Sequence, residues 1–397
     1  MEQVLTGLKV LDFSRFIAGP YATQLLADFG AEVIRVEKLG GGDDRTQGPF
    51  TADGFTVPMS ALIGRNKKAI TLNWNNPEGQ ELLEQLVKTC DVVLHNFSPG
   101  SKPAHTLSYD SLKSVNPAII VVAISAFGQS GPYQRRPGFD PLAQFMSGGP
   151  SYTGFPGNPP VRSQVNYVDH GTGVSAALGT MLALHHRTRT GVGQMVDVAL
   201  FDTAVCFVAT PAAAEYKLLR LAREQMGNQA FWGSPANTYQ TKNGMVVVAA
   251  ATNSLWQNLL TIIEKEVDVT APELSDVKSR YLHRDVTDRF VGEWMAKHTV
   301  EEVINLLEQA HVPCGPVNTV PEMLNDPQVK ARELIVEVDQ PGIGPVPQAG
   351  VQIKLSLTPG SIRTRAPDVG EHNEEVYGAL LGLKPKELAI LKKQGVI

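Results

Sequence analysis

Cysteine is scarce: Cys90, Cys206 and Cys314 are the 3 in 397 residues. They are odd in number and far apart, which argues against a disulfide framework or a cysteine-built zinc site, so no metal is expected. Basic tracts are missing as well. Lys and Arg number 35 against 40 Asp and Glu, a formal net charge of −5, which argues against nucleic acid as a partner. No apolar run approaches the roughly 20 residues of a membrane span, so no membrane association is expected. The opening M-E-Q-V-L-T-G-L-K-V has neither a basic n-region nor a long apolar core, and a cytoplasmic location is expected.

Several enzyme signatures are also wanting. The turn Ala18-Gly19-Pro20 holds one glycine where a dinucleotide-binding turn needs more, so the signal for NAD is weak even though Glu37 follows about 20 residues later. Gly40-Gly41-Gly42 lacks the Gly-Lys-Ser/Thr ending of a P-loop. In Gly128-Gln129-Ser130-Gly131-Pro132, Pro132 stands where a nucleophile elbow needs glycine, which leaves Ser130 as a turn residue. His185 and His186 are neighbours; a helix points them to different faces, and they cannot chelate as an i, i+4 pair would. Asp28, Asp91 and Asp197 read as turn or strand-end residues.

What is present is the alternation of an α/β protein, in a chain longer than one core usually supports. Residues 8–12 and 32–37 read as strands, with a helix opened by Pro20 between them. Asn76 caps a helix with Pro77 in its first turn and Leu82, Leu83, Leu86 and Val87 on its buried face. Residues 91–97 and 119–124 add strands, and Ser108 caps a short helix between them. This order implies a mainly parallel sheet covered on both faces. After a charged amphipathic stretch at 216–223 that reads as a link, residues 225–325 read as a smaller α/β domain. It has a strand at 246–250, a helical face of Leu255, Leu259, Leu260 and Ile263, and a capping box of Thr299 with Glu302. Proline- and glycine-rich sequence at 341–367 crosses back to the first domain, and the tail is helical with a break at Pro385.

The centre of the chain is residues 164–202. Asp169-His170-Gly171 leads into Val174, Ala177, Leu178, Met181 and Leu182, the spacing of one face of an α-helix. Arg187, Arg189 and Gly191 end that helix as dipole and capping rules require. Asp169 is expected at or just before its N-terminus, where free backbone N–H groups stabilise an ionised carboxylate. Taken locally, it is an ordinary N-cap.

The assembled segments resemble the class III CoA-transferases, the family of formyl-CoA transferase and carnitine CoA-transferase. The matching residues are Ala18-Gly19-Pro20, the run from Leu25 to Ile34, Glu37, Gly42-Asp43, Asn76-Pro77-Glu78-Gly79, Asn96-Phe97 and Pro99-Gly100. Asp140, Asp169 with Gly171 and Gly173, Thr190-Gly191, Gly193-Gln194, Gly315-Pro316-Val317 and Gly370-Glu371-His372 continue them in the family's order. The resemblance implies a large Rossmann-like domain built from both chain ends (1–224 and 326–397), the smaller inserted domain at 225–325, and an interlocked homodimer. It implies CoA transfer from an acyl-CoA to a small carboxylic acid through a covalent intermediate on Asp169, with coenzyme A as substrate and no tightly bound cofactor.

Carried over by the same resemblance, Arg15, Ile17, Ala18, Lys38, Leu72, Asn96 and Phe97 match CoA contacts. Family members carry Arg where this chain has Ser98 and Ala104, so Lys102, His105 and Arg136 are candidates to replace those phosphate contacts. Read locally, Lys38 is equally a solvated surface lysine. Phe139, Asp140, Phe231, Trp232 and Gly233 are candidates for the substrate pocket. Formyl-CoA transferases have Gln and Tyr in place of Ile17 and Phe139, and a glycine run in place of residues 228–233, so oxalate and formyl-CoA are not the expected substrates. Arg15, Arg45 or Arg65 is a candidate for a second substrate carboxylate; the alternatives are CoA phosphates or structural aspartates. Two other functions fit the pattern. An α-methylacyl-CoA racemase shares the fold, but Phe139 stands where its proton-carrying His would be. A non-catalytic acyl-CoA-binding protein needs no Asp169.

Overall fold

The computed structural model describes residues 2–52, 54–269, 271 and 274–397. It divides into two compact units, one of 1–147, 163–209 and 327–397, the other of 148–162 and 210–326. No described helix is long and apolar enough to cross a membrane.

The first unit is built on six parallel strands, β1 (Lys9–Asp12), β2 (Glu32–Glu37), β3 (Lys67–Thr71), β4 (Val92–His95), β5 (Ile120–Ser125) and β6 (Met195–Ala199). Their order is β3-β2-β1-β4-β5-β6, that of a doubly wound dinucleotide fold. Both faces are covered, so the strands are almost continuously apolar and successive residues serve opposite cores. Leu11, Ile34, Ile70, Val93 and Val121 pack on the helices Pro77–Thr89, Asn373–Leu381 and Pro385–Lys393. Val10, Val33, Val92 and Val122 pack on the helices Ala18–Asp28 and Tyr167–Thr190.

Caps set several of these helices where the sequence places them. Asn76 Oδ1 accepts Gly79 N–H at 2.9 Å, Ser108 accepts Ser111 N–H at 3.3 Å, and Thr299 with Glu302 closes a capping box. The outer edge of β3 is closed by the chain's own end. His372 N–H donates to Ala69 O and Asn373 Oδ1 accepts Thr71 N–H, both at 2.9 Å, which removes an unpaired edge. A hairpin of β10 (Ile335–Gln340) and β11 (Gly344–Ala349) also belongs to this unit.

In the second unit β7 (Ala236–Gln240), β8 (Met245–Ala249) and β9 (Cys314–Pro316) form an antiparallel sheet. It carries the helices Asn253–Ile263, Arg284–Met295 and Val300–Gln309, with Trp256, Leu259, Trp294 and Leu307 fully buried. Its bounds are wider than the 225–325 read from the sequence. Arg223 lies 4.2 Å over the Phe231 ring and 5.7 Å over Tyr152, and it binds Glu215 at 2.6 and 2.7 Å. Those contacts draw both flanking segments, including the supposed link at 216–223, into the unit.

The apolar face of the long helix is not its buried one, and one sequence expectation fails, that for Asp28. Ala177 is buried, but Val174, Leu178, Met181 and Leu182 are 44, 59, 38 and 63% exposed. The Tyr167–Thr190 helix instead buries its small face, Thr172, Gly173, Ala176, Thr180 and Ala183. The reason is close approach: a Cβ on Gly173 would stand 2.8 Å from Ala18 O on the Ala18–Asp28 helix. Asp28 is no turn residue. It is buried, bound by Arg65 Nε at 3.1 Å, Arg65 Nη2 at 2.8 Å and Asn66 Nδ2 at 2.7 Å.

Candidate active site

The turn after β1 is fixed by buried polar groups. Ser14 N–H donates to Asp12 Oδ1 at 2.9 Å, and Lys67 Nζ reaches Asp12 Oδ2 at 3.0 Å. Burial alone would push the Asp12 carboxyl up; the Lys67 ammonium and the Ser14 and Thr23 donors outweigh it, and the carboxyl lies below its ordinary range. One residue on, Asn96 at the end of β4 clamps the backbone of Arg15, accepting its N–H at 3.0 Å and donating to its carbonyl at 2.7 Å. Phe16 is held at φ +66°, a left-handed conformation that strains a bulky side chain. Its ring meets Phe139 edge-on at 5.6 Å. Nothing in the sequence marks Phe16, since strain is set by what surrounds a residue.

This turn forms one wall of a cavity of about 160 Å³, with Ser125 at the end of β5, Arg136, Phe139 and Leu200 around it and Asp169 among its lining residues. Ala18 and Gly19 open the Ala18–Asp28 helix, and the first bond of that turn runs from Tyr21 N–H to Ile17 O. Their two N–H groups therefore precede the helical bonding pattern, and Pro20 has none to offer.

Asp169 does not cap its helix. The N-cap is Asn166, and Asp169 is the third helical residue. The backbone donors expected to stabilise it belong to another carboxylate: Asp140 Oδ2 accepts Val168 N–H at 2.9 Å and Asp169 N–H at 3.0 Å. The Asp169 carboxylate itself accepts no hydrogen bond from the described residues. Half-buried without a partner, it is pushed by desolvation up to about 7, and the Asp140 charge adds to the rise. The expectation of a helix-stabilised, readily ionised carboxylate is thus reversed, because burial outweighs a dipole whose donors are taken. His170 cannot assist it. Its ring packs on Tyr21 at 4.8 Å and its Nδ1 lies 2.8 Å from Asn166 O.

Of the other sequence candidates, Arg15, Ile17, Ala18, Asn96, Arg136 and Phe139 come together at the cavity. Phe97 stands beside them, with the Arg15 guanidinium 5.7 Å over its ring. Arg136 lies 3.9 Å over Tyr133. Lys38 is exposed and bound to Asp43 at 2.8 Å, outside the cavity lining. Leu72 is buried in the core, and its side chain is not presented to a ligand. Lys102 and His105 are exposed on the helix Lys102–Thr106, also away from the lining. Phe231, Trp232 and Gly233 belong to the second unit; Phe231 meets Tyr152 at 5.8 Å and Trp232 is exposed. All three arginines considered for a second carboxylate have carboxylate partners, Arg15 its Asp43 at 3.0 Å. Arg65 holds Asp28, and Arg45 holds Glu37 at 2.8 and 2.5 Å. Of the three, only Arg15 stands at the cavity. Among the described residues no cluster of His, Cys, Asp and Glu could hold a metal ion.

An unpaired, basic carboxylate on a cavity of mixed polar and apolar lining is equipped to attack an acyl carbon or take a proton. The sequence matches CoA-transferase family III over residues 5–373. It is 36% identical to succinyl-CoA–D-citramalate CoA-transferase of Chloroflexus aurantiacus, over 99% of this chain and 98% of that one. It is 31% identical to formyl-CoA:oxalate CoA-transferase of Rhodopseudomonas palustris, over 100% and 98%. A crystal structure of a CAIB/BAIF family protein from Brucella suis superposes with a TM-score of 0.83 at 31% identity, covering 96% of this chain and all of the other. A match that spans β1 through the tail helices and takes in both units leaves one conclusion: the chain belongs to CoA-transferase family III.

Proposed function

We propose that the chain transfers CoA from an acyl-CoA thioester to a free carboxylic acid through covalent intermediates on Asp169. The observation that carries this reading is the Asp169 carboxylate, unpaired on the cavity and pushed up to about 7. Its oxygen attacks the thioester carbon, forming an aspartyl–acyl anhydride and expelling CoA thiolate. The thiolate attacks the aspartyl carbonyl, giving an aspartyl-CoA thioester and releasing the first acid. The acceptor carboxylate then attacks that thioester, and the returning thiolate cleaves the new anhydride at the acceptor's carbonyl. The product acyl-CoA leaves and Asp169 is regenerated as a carboxylate. Splitting one transfer into four such steps replaces a poor nucleophile in water by a positioned one. The N–H groups that open the Ala18–Asp28 helix, with Ala18 in the cavity lining, are assigned to the oxyanions.

Arg15, Asn96 and Arg136 are assigned to CoA, and Ile17 and Phe139 to the acyl group. Their apolar character disfavours formate and oxalate. The relative named for succinyl-CoA and D-citramalate supports a succinyl donor and a hydroxy-dicarboxylate acceptor. The 62%-exposed Phe139 ring carries no proton, which supports transfer over racemisation. The exposed apolar face of Val174, Leu178, Met181 and Leu182, beside a hollow of about 370 Å³ shared with Leu25 and Ile353, supports a homodimer, interlocked as the family resemblance implies. The test is isotope exchange between acyl-CoA and a panel of acids, with mass spectrometry of the peptide carrying Asp169. An adduct on that peptide and loss of exchange in Asp169→Ala are expected; normal exchange in Asp169→Ala would end the proposal.

A further inference from the structure

The acids of the first unit differ in what surrounds them, and the one that holds the Asp169 helix is unusual. Asp140 is 1% exposed and forms no ion pair among the described residues. A buried carboxylate without a cation is tolerated only where several donors bind it. Asp140 has three: the N–H groups of Val168 and Asp169 on Oδ2 at 2.9 and 3.0 Å, and Gln144 Nε2 on Oδ1 at 2.5 Å. Gln144, itself 1% exposed, accepts Ser163 N–H through Oε1 at 2.9 Å. Both ends of the approach to the helix, Ser163 and Val168–Asp169, are therefore bound by Gln144 and Asp140, one turn apart on the helix Asp140–Met146.

We infer that Asp140 is a positioning residue for Asp169: by occupying the backbone donors at the start of the Tyr167–Thr190 helix, it leaves the Asp169 carboxylate unpaired towards the cavity. The inference rests on the reading of Asp169 as nucleophile. An aspartate in a helix's first turn ordinarily shares the free N–H groups there. Such bonds would stabilise the carboxylate and blunt its attack. With the donors of Val168 and Asp169 taken, Asp169 is bound by nothing among the described residues. The Asp140 carboxylate also acts through space, adding to the rise that burial gives Asp169, and a more basic, less solvated carboxylate is the better nucleophile.

The other charged groups do not do this. Arg15 and Arg136 lie in the cavity wall, and neither is a cause of the rise at Asp169. His170 is turned on to Tyr21. Asp202, on the helix Leu200–Val208, feels burial and Asp197. Phe139, directly before Asp140, lines the same cavity, so one anchor sets both the wall and the nucleophile.

The test is Asp140→Asn in the full-length chain. Asparagine keeps the volume and one accepting oxygen for the helix N–H groups but removes the charge. The acid limb of the kcat/KM profile for CoA exchange is expected to move down by about one pH unit or more. The plateau kcat is expected to fall by roughly 10–100-fold, with the dissociation constant for CoA unchanged within about threefold. An acid limb that stays at the wild-type pH would overturn the inference, whatever the plateau does. If Asp140→Asn does not fold, carboxyl-carbon NMR of the wild-type chain with labelled aspartate decides the matter, with Asp169→Asn identifying the signal. A midpoint below about 5 rejects the inference; one near 7 supports it when the Asp140 signal stays ionised through the Asp169 transition, and an Asp140 signal that titrates with Asp169 rejects it. Exchange that survives Asp169→Asn would remove the nucleophile and this inference together. Exchange lost in Asp169→Asn with an unmoved limb in Asp140→Asn removes the role of Asp140 alone.

Discussion

Replacing Asp169 by Asn should make the protein more stable while it abolishes exchange, and the gain should depend on pH in a stated direction. Burial and the Asp140 charge raise the Asp169 carboxyl from 3.8 to about 7. Between those values the unfolded chain has lost its proton and the folded chain keeps it. The folded state then binds more protons, so stability falls as pH rises through this window. The contribution is intact below 3.8 and fully lost above about 7. At about 1.4 kcal/mol per pH unit the loss amounts to at most ~4 kcal/mol, or ~2–4 kcal/mol once partial solvent contact is allowed for. Asn carries no such penalty. With an unfolding entropy of roughly 2.1 cal/mol/K per residue, Asp169→Asn should melt roughly 2–5 °C above the wild type at pH 8. The gap should shrink steadily towards pH 4 and vanish below it. Thermal melts of both proteins in matched buffers from pH 4 to 8.5 provide the assay. A gap that is flat across that range, or that widens towards acid, would refute the desolvated carboxylate and with it the argument for a basic nucleophile.

Two further outcomes follow from buried contacts. Asp28→Ala removes the carboxylate that Arg65 holds at 2.8 and 3.1 Å and strands a guanidinium in the core, so urea unfolding should show a loss of about 3–5 kcal/mol. Asn96→Ala releases both backbone bonds to Arg15 and the strained Phe16 beside it; KM for acyl-CoA should rise by about tenfold or more, with kcat changing less.

Local signals are legible in the sequence and long-range ones are not. The strands of the parallel sheet, the Asn76 and Ser108 caps and the Thr299–Glu302 box depend on residues within a few positions of one another, and all are found. The buried side of the Tyr167–Thr190 helix escapes such reading because hydrophobic spacing locates the large apolar residues. Close packing on the Ala18–Asp28 helix selects the small ones, Gly173 above all. Ion partners 37 and 55 positions apart, Asp28 with Arg65 and Asp12 with Lys67, leave no local trace either. For the same reason the sequence leaves Arg65 open to assignment as a substrate anchor. Resemblance places Leu72 at the ligand, and its burial shows that a matched position need not present its side chain.

The distribution of charge in the first unit is itself an argument about the site. Its fully buried carboxylates are Asp12, Asp28, Glu37, Asp44 and Asp140. Four of these have cations, Lys67, Arg65, Arg45 and Arg35, and each such pair ties a strand end or helix end to a neighbouring segment. Asp140 alone is held by neutral donors among the described residues. A cation there would also have stood beside Asp169 and lowered its basicity, stabilising the fold at the expense of the nucleophile. Binding Asp140 through backbone N–H groups satisfies the buried charge and keeps its field acting on Asp169. Cations thus neutralise these buried carboxylates except at the one place where an unneutralised charge changes the chemistry.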